Sequence, residues 1–187
     1  MSAVSRWSGL WCRRGSGRAV LLSLLVVLTC NALLVYFHQP FDRVAPGVGT
    51  PDLLALVPAS ELYAHLELMG VEGRRAYLPI AYVDMVYPLA YGAFMLLALG
   101  WGLADRATQL GWLGLVFWLP VIGVLADYVE NSMVQVAIWT WPEPSTAVAM
   151  LWMVAHSAKW LALLPCAALT LAVIGRGILR SRAEMAA

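Results

Sequence analysis

The sequence is poor in charged residues, and this scarcity excludes an ordinary soluble domain. Asp, Glu, Lys and Arg make up 12% of its 187 residues, whereas 61% are hydrophobic. A typical soluble domain is about 25% charged, because a surface that faces water needs that charge. The formal net charge is only +1, and the basic residues lie beside apolar blocks. The sequence therefore predicts no nucleic-acid partner.

Cysteine is also scarce. The three cysteines, Cys12, Cys30 and Cys166, are widely spaced, so they indicate no disulfide framework and no C-x-x-C metal site. Cys12 could carry a palmitoyl group beside the first apolar block, although an unmodified thiol is favoured. No ligand spacing such as H-E-x-x-H occurs either. The sequence therefore assigns no metal ligands and leaves the cofactor unknown. A metal held by Asp84, Asp127, Glu130 and His156 stays open as a weakly indicated alternative.

Long apolar blocks dominate the chain. A bilayer core about 30 Å thick needs about 20 apolar residues in a helix, and four blocks reach that length. They cover residues 19–37, 78–104, 110–138 and 147–174. None of them shows the period of two that a membrane β-barrel needs. The sequence therefore predicts an all-α integral membrane four-helix bundle that forms one domain over residues 1–187.

The longest connection, residues 38–77, is predicted to lie outside the bilayer. Its first part is rich in Pro and Gly and should be irregular. Ser60 can then cap a short helix at about residues 61–69, which Gly70 would end. The apolar residues of this helix share one face. Two interpretations stay open: an interfacial helix over the outer mouth of the bundle, or a short helix packed on neighbouring loops.

The arginines predict how the four spans are oriented, because cytoplasmic flanks of membrane spans are enriched in Lys and Arg. Eight arginines lie in the N-terminus, the second loop and the C-terminus: Arg6, Arg13, Arg14, Arg18, Arg106, Arg176, Arg180 and Arg182. The first and third loops hold only Arg43, Arg74 and Arg75. Both termini are therefore predicted to be cytoplasmic. The ratio of eleven Arg to one Lys is typical of a GC-rich genome and favours a bacterial inner membrane.

Ionisable residues inside the predicted spans are the main candidates for a functional site. Each costs at least about 2.5–3.5 kcal/mol at the middle of a membrane helix, so it needs a compensating role. The spans hold four of them: Asp84, Asp127, Glu130 and Lys159. Helical spacing places these residues on polar stripes, together with Tyr87, Tyr91, Asn131 and His156. The stripes are expected to converge between the middle and the outer half of the bilayer.

The cluster has an imbalance of charge. Three carboxylates face one lysine, so full ionisation would leave about two uncompensated negative charges in a medium of low dielectric constant. Either some of the acids are protonated, or a cationic group binds. A simple clamp between helices needs only one acid. The imbalance therefore favours a functional site over a purely structural ion pair.

The leading hypothesis is a polar pocket that binds a lipid-like or amphipathic small molecule and can modify it by acid/base chemistry. Asp84, Asp127 and Glu130 would act as acids, bases or cation ligands, Lys159 would hold one carboxylate ionised, and His156 could relay a proton. The candidate ligand-binding residues are Tyr87, Tyr91, Asn131, Arg74 and Arg75. For the two arginines, simple pairing with Glu67 and Glu72 is the favoured alternative to a lipid phosphate.

Two other classes of function stay open. In the first, the protein is a structural or partner-binding membrane subunit whose buried ion pair fixes the register of its helices. In the second, it is a proton- or cation-coupled transporter. Transport is less favoured at this size without an oligomer, and no second polar stripe leads to the inner face. Membrane lipids are expected partners in every case.

The polar residues also carry a resemblance. The motifs are Gly70-x-x-Gly73-Arg74-x-x-Tyr77, Asp84-x-x-Tyr87-Pro88-x-x-Tyr91, Asp127-x-x-Glu130-Asn131 and Lys159-Trp160. In these motifs the chain resembles a small family of four-span membrane proteins, a resemblance that implies the fold and no activity. It is more loosely similar to the EXPERA group of four-span sterol isomerases and ligand-binding proteins. Because only the topology and one acid followed by Pro are shared, no EXPERA catalytic residue is transferred.

Overall fold

The computed structural model of the chain describes residues 3–54 and 58–186, with side chains as far as residue 182. Every regular element in these residues is a helix. The α-helices are α1 (Ala3–Arg14), α2 (Gly17–Val44), α3 (Ser60–Asp84), α4 (Tyr87–Gly102), α5 (Leu119–Trp139) and α6 (Thr146–Ala186). Four helical stretches are long and apolar enough to cross a membrane: Gly17–Val44, Ser60–Gly102, Gly111–Trp139 and Thr146–Arg182. The predicted all-α class and the predicted number of helices of membrane-spanning length are confirmed.

The stretch Ser60–Gly102 is helical but broken twice. Gly70 has φ 65° and ψ −178°, a conformation that favours glycine because an L side chain would be strained there. The helix resumes after Gly70 and ends at Asp84. Pro88 explains the second break, because it has no N–H to donate to the carbonyl of Asp84 four residues earlier. The carbonyl of Asp84 at the end of α3 therefore has no backbone donor from Pro88.

The stretch Gly111–Trp139 also changes its geometry along its length. Residues Gly111–Trp118 form a 3₁₀-helix, and α5 begins at Leu119. Eight residues is long for a 3₁₀-helix. Pro120 lies in the first turn of α5, where its missing N–H costs no hydrogen bond. The proline therefore starts the α-helix.

The N-terminal helix α1 was not predicted, because its residues read as a basic flank of the first span. Trp7 stacks on Trp118 with ring centroids 5.2 Å apart, and its Nε1 donates to the carbonyl of Phe117 at 3.4 Å. Cys12 is buried, and its Sγ donates to the carbonyl of Leu103 at 3.8 Å. Burial raises the pKa of the Cys12 thiol, which disfavours palmitoylation. Helix α1 is thus a packed element.

The chain divides into two compact units, each with its own core. Unit 1 comprises residues 1–28, 89–123 and 161–187, and unit 2 comprises residues 29–88 and 124–160. The core of unit 1 includes Leu96, Leu99, Phe117 and Cys166. The core of unit 2 includes Phe41, Leu62, Leu66, Tyr77, Val134 and Trp152.

Large apolar side chains are exposed along all four long helices. On α2 the exposed residues include Leu21, Leu22, Leu25 and Val26, each more than half exposed. Leu89, Leu125 and Leu161 show the same pattern on the other three stretches. A soluble monomer rarely exposes so much contiguous apolar surface. This distribution is the one expected of helices that face lipid.

Glycines allow close backbone contacts in unit 1. A Cβ atom on Gly100 would lie 2.2 Å from the carbonyl oxygen of Trp11, and one on Gly15 would lie 2.2 Å from the backbone nitrogen of Trp101. Backbone atoms cannot yield to such a contact without a shift of the helix. These two glycines therefore determine how closely α1 and α4 approach each other.

We expect Gly100→Ala to release α1 and to lower the free energy of unfolding by about 1–3 kcal/mol, because the added methyl group overpacks a backbone contact. Gly175→Ala is the matched control, since nothing lies within 4 Å of a Cβ atom at Gly175. It should be neutral or stabilising by up to about 1 kcal/mol. Thermal unfolding in detergent and tryptic cleavage after Arg13 and Arg14 measure both effects. Equal behaviour of the two variants would contradict the docking of α1 on α4.

Candidate functional site

Polar side chains from three helices meet in unit 2. Asp127 and Glu130 lie three residues apart on α5, and His156 and Lys159 have the same spacing on α6. This spacing places both members of each pair on one helical face. Asp84 is the last residue of α3. All five side chains are buried, in helices whose other residues are largely apolar.

Glu130 is the centre of the cluster, and its carboxylate is fully buried. Its Oε1 lies 3.0 Å from Nδ1 of His156, and its Oε2 lies 2.6 Å from Nζ of Lys159. The contact with Lys159 is a close charge pair without the alignment of a hydrogen bond. Lys159 Nζ also lies 3.5 Å from Oδ1 of Asp127. One lysine thus serves two carboxylates.

The second nitrogen of His156 fixes where protons can lie. Nε2 is 3.0 Å from the carbonyl oxygen of Leu54, and a carbonyl can only accept, so Nε2 donates. A hydrogen bond between Nδ1 and Glu130 then needs a second proton, supplied by either the imidazolium or the carboxylic acid. The pair therefore holds one proton more than a carboxylate and a neutral imidazole would. Trp152 stacks on the imidazole with ring centroids 5.3 Å apart.

Asn131 joins α5 to the end of α3. Its Nδ2 donates to Oδ1 of Asp127 and to the backbone carbonyl of Asp84, both at 3.2 Å. That carbonyl is the acceptor left without a helical donor by Pro88. The proline and the asparagine are thus complementary, because the break created by Pro88 is satisfied by Asn131. The carbonyl of Asp84 thus accepts a hydrogen bond from within the protein.

Asp52 belongs to the cluster and was missed in the sequence. It lies in a 3₁₀ turn, Pro51–Leu53, and is close enough to Asp84 and Lys159 for its charge to act on both. The bond from His156 to the carbonyl of Leu54 holds this loop over the cluster. Asp52 sits in a Pro- and Gly-rich connection, and no periodic pattern marks it there.

Several polar atoms of the cluster have no partner within the described parts of the chain. The Asp84 side chain is 7% exposed and makes no hydrogen bond or ion pair with any described residue. Oδ1 of Asp52, Oδ1 of Asn131 and Oγ1 of Thr50 are buried without a hydrogen bond from the described residues. All of these atoms are oxygens that can accept. Two buried donors beside His156, Nε1 of Trp152 and Nε1 of Trp160, also lack a partner among the described residues. The cluster therefore offers acceptors at its acids and donors beside its histidine.

The acidic groups of the cluster outnumber its cationic groups. It contains four carboxylic groups, Asp52, Asp84, Asp127 and Glu130, against Lys159 and the one proton shared by Glu130 and His156. Full ionisation of the remaining acids would leave an excess of two negative charges. In low dielectric such an excess costs several kcal/mol unless a cation or a proton joins it.

The candidate ligand-binding residues are more scattered. Tyr87 is half-buried, and its hydroxyl accepts from Nδ2 of Asn31 at 2.8 Å. Arg74 is buried, donates to the carbonyl of Leu66 at 2.6 Å and lies 4.3 Å over the ring of Trp141. Arg75 is exposed and pairs with Glu72 at 3.1 Å. Tyr91 is buried in unit 1. Neither arginine contacts the acids of the cluster within the described residues.

A surface cavity of about 420 Å³ lies elsewhere in unit 2. Its walls are Tyr63, Ala64, Glu67, Trp141, Pro142 and Pro144, and none of the predicted site residues lines it. Among the residues that the structure describes, no group of three or more His, Cys, Asp or Glu side chains is arranged to hold a metal ion.

No protein-family model matches the chain, and no match is found among curated proteins or among solved structures. Function must therefore be inferred from the chemistry of the site itself.

Replacing Lys159 with Met should destabilise the protein strongly. It leaves the carboxylates of Glu130 and Asp127 buried without their cation, at a cost of about 3–5 kcal/mol. The double variant Lys159→Met/Glu130→Gln should recover part of this loss, because one of the uncompensated charges is gone. Denaturation in mixed micelles with increasing SDS measures the free energies of unfolding.

Arg75→Met is the control, because it breaks an exposed pair with Glu72 and should change stability by less than about 1 kcal/mol. Equal losses for Lys159→Met and Arg75→Met, or a double variant less stable than Lys159→Met alone, would show that the buried pairs do not stabilise the fold.

Proposed function

We propose that the protein is a multi-pass membrane protein whose unit 2 binds a lipid-like or amphipathic small molecule through a cationic or hydrogen-bond-donating group. The observation that carries this proposal is the Asp84 carboxylate, which is buried and makes no hydrogen bond or ion pair with a described residue, although the charge of Lys159 acts on it. An unpaired buried carboxylate costs stability. A ligand that brings a positive charge or a hydrogen-bond donor to Asp84 would remove this cost.

The surroundings of Asp84 favour a donor over an acceptor. Asp52 lies close enough for its charge to add to that of Asp84. Asn131, which donates to the carbonyl of Asp84, has a buried Oδ1 that lacks a donor within the described residues. Lys159 is occupied by Glu130 and Asp127. An anionic headgroup would meet mainly negative charge here. An ammonium or hydroxyl group would meet oxygens.

The Glu130–His156 pair can supply acid/base chemistry. Nδ1 of His156 and Oε1 of Glu130 are 3.0 Å apart and share one proton, so the pair can donate this proton to a bound molecule, leaving the carboxylate beside Lys159, and take it back afterwards. His156 is oriented by the carbonyl of Leu54, as a catalytic imidazole commonly is by a second hydrogen-bond partner. We propose Glu130 and His156 as the proton-transferring residues, and Lys159 as the residue that keeps Glu130 charged.

The membrane location is supported by two features. Large apolar side chains are exposed along all four long helices, as contact with lipid requires. Both termini belong to unit 1, which contains eight of the eleven arginines. By the positive-inside rule this supports cytoplasmic termini, and the ratio of eleven Arg to one Lys favours a bacterial inner membrane.

A structural role is the second candidate. Asn131 bonds to both Asp127 and the end of α3, and Lys159 joins two acids of α5 to α6. Such a network fixes helix register without any ligand. In this candidate role the buried Asp84 carboxylate only destabilises the fold. Asp84→Asn would then raise the free energy of unfolding and leave the affinity for amphipathic ligands unchanged.

The binding proposal is tested with dodecylammonium, and with dodecanol as its uncharged counterpart. Native mass spectrometry of the full chain should show tighter binding of the amine than of the alcohol. Asp84→Asn should weaken binding of the amine by at least about tenfold, because it removes a buried charge that the ammonium group pairs with. Glu61→Gln, which changes an exposed acid of the same unit, should bind like the wild type. Equal affinity of wild type and Asp84→Asn for the amine would contradict the proposal.

The acid/base part is tested by the molecules that co-purify with the protein. Glu130→Gln keeps the size of the side chain but cannot take up a proton. If Glu130 acts on the bound molecule, this variant should retain a ligand of different mass from the wild type, because the unconverted form accumulates. Identical ligand masses in wild type and Glu130→Gln would limit the site to binding.

A further inference from the structure

The two units carry formal charges of opposite sign, although the chain as a whole is close to neutral. Unit 1 contains eight arginines and two acidic residues, a formal charge of +6, whereas unit 2 contains four basic and nine acidic residues, a formal charge of −5. Six of the arginines of unit 1 are exposed: Arg6, Arg13, Arg14, Arg18, Arg106 and Arg182. Unit 1 therefore presents a basic surface of the kind that attracts anions.

The acidic side chains described in unit 1 do not neutralise this surface. Asp105 forms ion pairs with Arg176 and Arg180, which are half-buried. The six exposed arginines form no ion pair with any described residue. Their charge is thus available to a partner.

Helix α1 holds part of this surface in a fixed position. The stacking of Trp7 on Trp118 and the close contact of Trp11 with Gly100 fix the helix on one side. The turn from α1 to α2 then brings Arg13, Arg14 and Arg18 together within six residues of sequence. Side chains carried on a docked helix lose less entropy on binding than those of a free tail.

We propose that the exposed arginines around the α1–α2 turn bind the phosphate groups of anionic phospholipids. The neighbouring residues identify the partner. Arg18 is followed within about one helical turn by Leu21 and Leu22, which are 58% and 63% exposed. A phosphate held at Arg18 therefore has an apolar surface beside it for acyl chains. A soluble anion such as a nucleic acid would gain nothing from contact with these exposed leucines. This site is independent of the acid cluster of unit 2.

The test compares phosphatidylglycerol with phosphatidylcholine, using native mass spectrometry of the full chain in detergent. The wild type should bind phosphatidylglycerol more tightly, and salt should weaken this preference. Arg14→Gln/Arg18→Gln should reduce binding of phosphatidylglycerol by at least about tenfold and leave binding of phosphatidylcholine unchanged, because each arginine near the surface contributes to the attraction of anionic lipid.

Arg43→Gln is the control, since it removes a positive charge from an exposed position of unit 2. It should bind phosphatidylglycerol like the wild type. Arg6→Gln/Arg13→Gln is a second variant of the same surface and should also lose affinity. Equal losses in control and test variants, or no preference of the wild type for the anionic lipid, would overturn the proposal.

Discussion

The burial of the Glu130 carboxylate is the constraint on which unit 2 depends. A fully buried charge needs a partner for each oxygen, and α6 supplies both, from His156 and Lys159 one helical turn apart. The histidine in turn needs an acceptor, which the carbonyl of Leu54 provides 102 residues earlier in the chain. One carboxylate therefore determines the register of α5 against α6 and the position of the loop above them.

The end of α3 follows from a second, backbone constraint. Pro88 removes the donor for the carbonyl of Asp84, so α3 ends there and Asn131 takes over the hydrogen bond. This arrangement places Asp84 at a helix end beside Asp127, while its side chain keeps no partner among the described residues. In an unbroken helix the carbonyl of Asp84 would accept from the backbone N–H four residues later. It would then not need the hydrogen bond from Asn131 that joins α5 to α3. The break in the helix is thus part of how the acids are brought together.

The sequence predicted the parts of the molecule that depend on periodic patterns. Long apolar runs are sufficient for the four helices of membrane-spanning length, and the spacing of three residues is sufficient to pair Asp127 with Glu130 and His156 with Lys159 on their helices. Asp52 could not be found in this way, because its position depends on a hydrogen bond between Leu54 and His156 that no local pattern encodes. Helix α1 was not predicted for a related reason. Its twelve residues are stabilised by packing on residues 111–118, not by apolar length.

Net charge was the least informative property of the sequence, and the reason is physical. A sum over the whole chain cancels +6 in unit 1 against −5 in unit 2, although electrostatic forces act over about 10 Å and do not average over a protein. Near-neutrality argues against a partner only when the charges of both signs are mixed. Here each sign is concentrated in one unit, with the buried acids in unit 2 and the exposed arginines in unit 1. Two ligands of opposite charge are therefore compatible with a chain whose formal charge is close to zero.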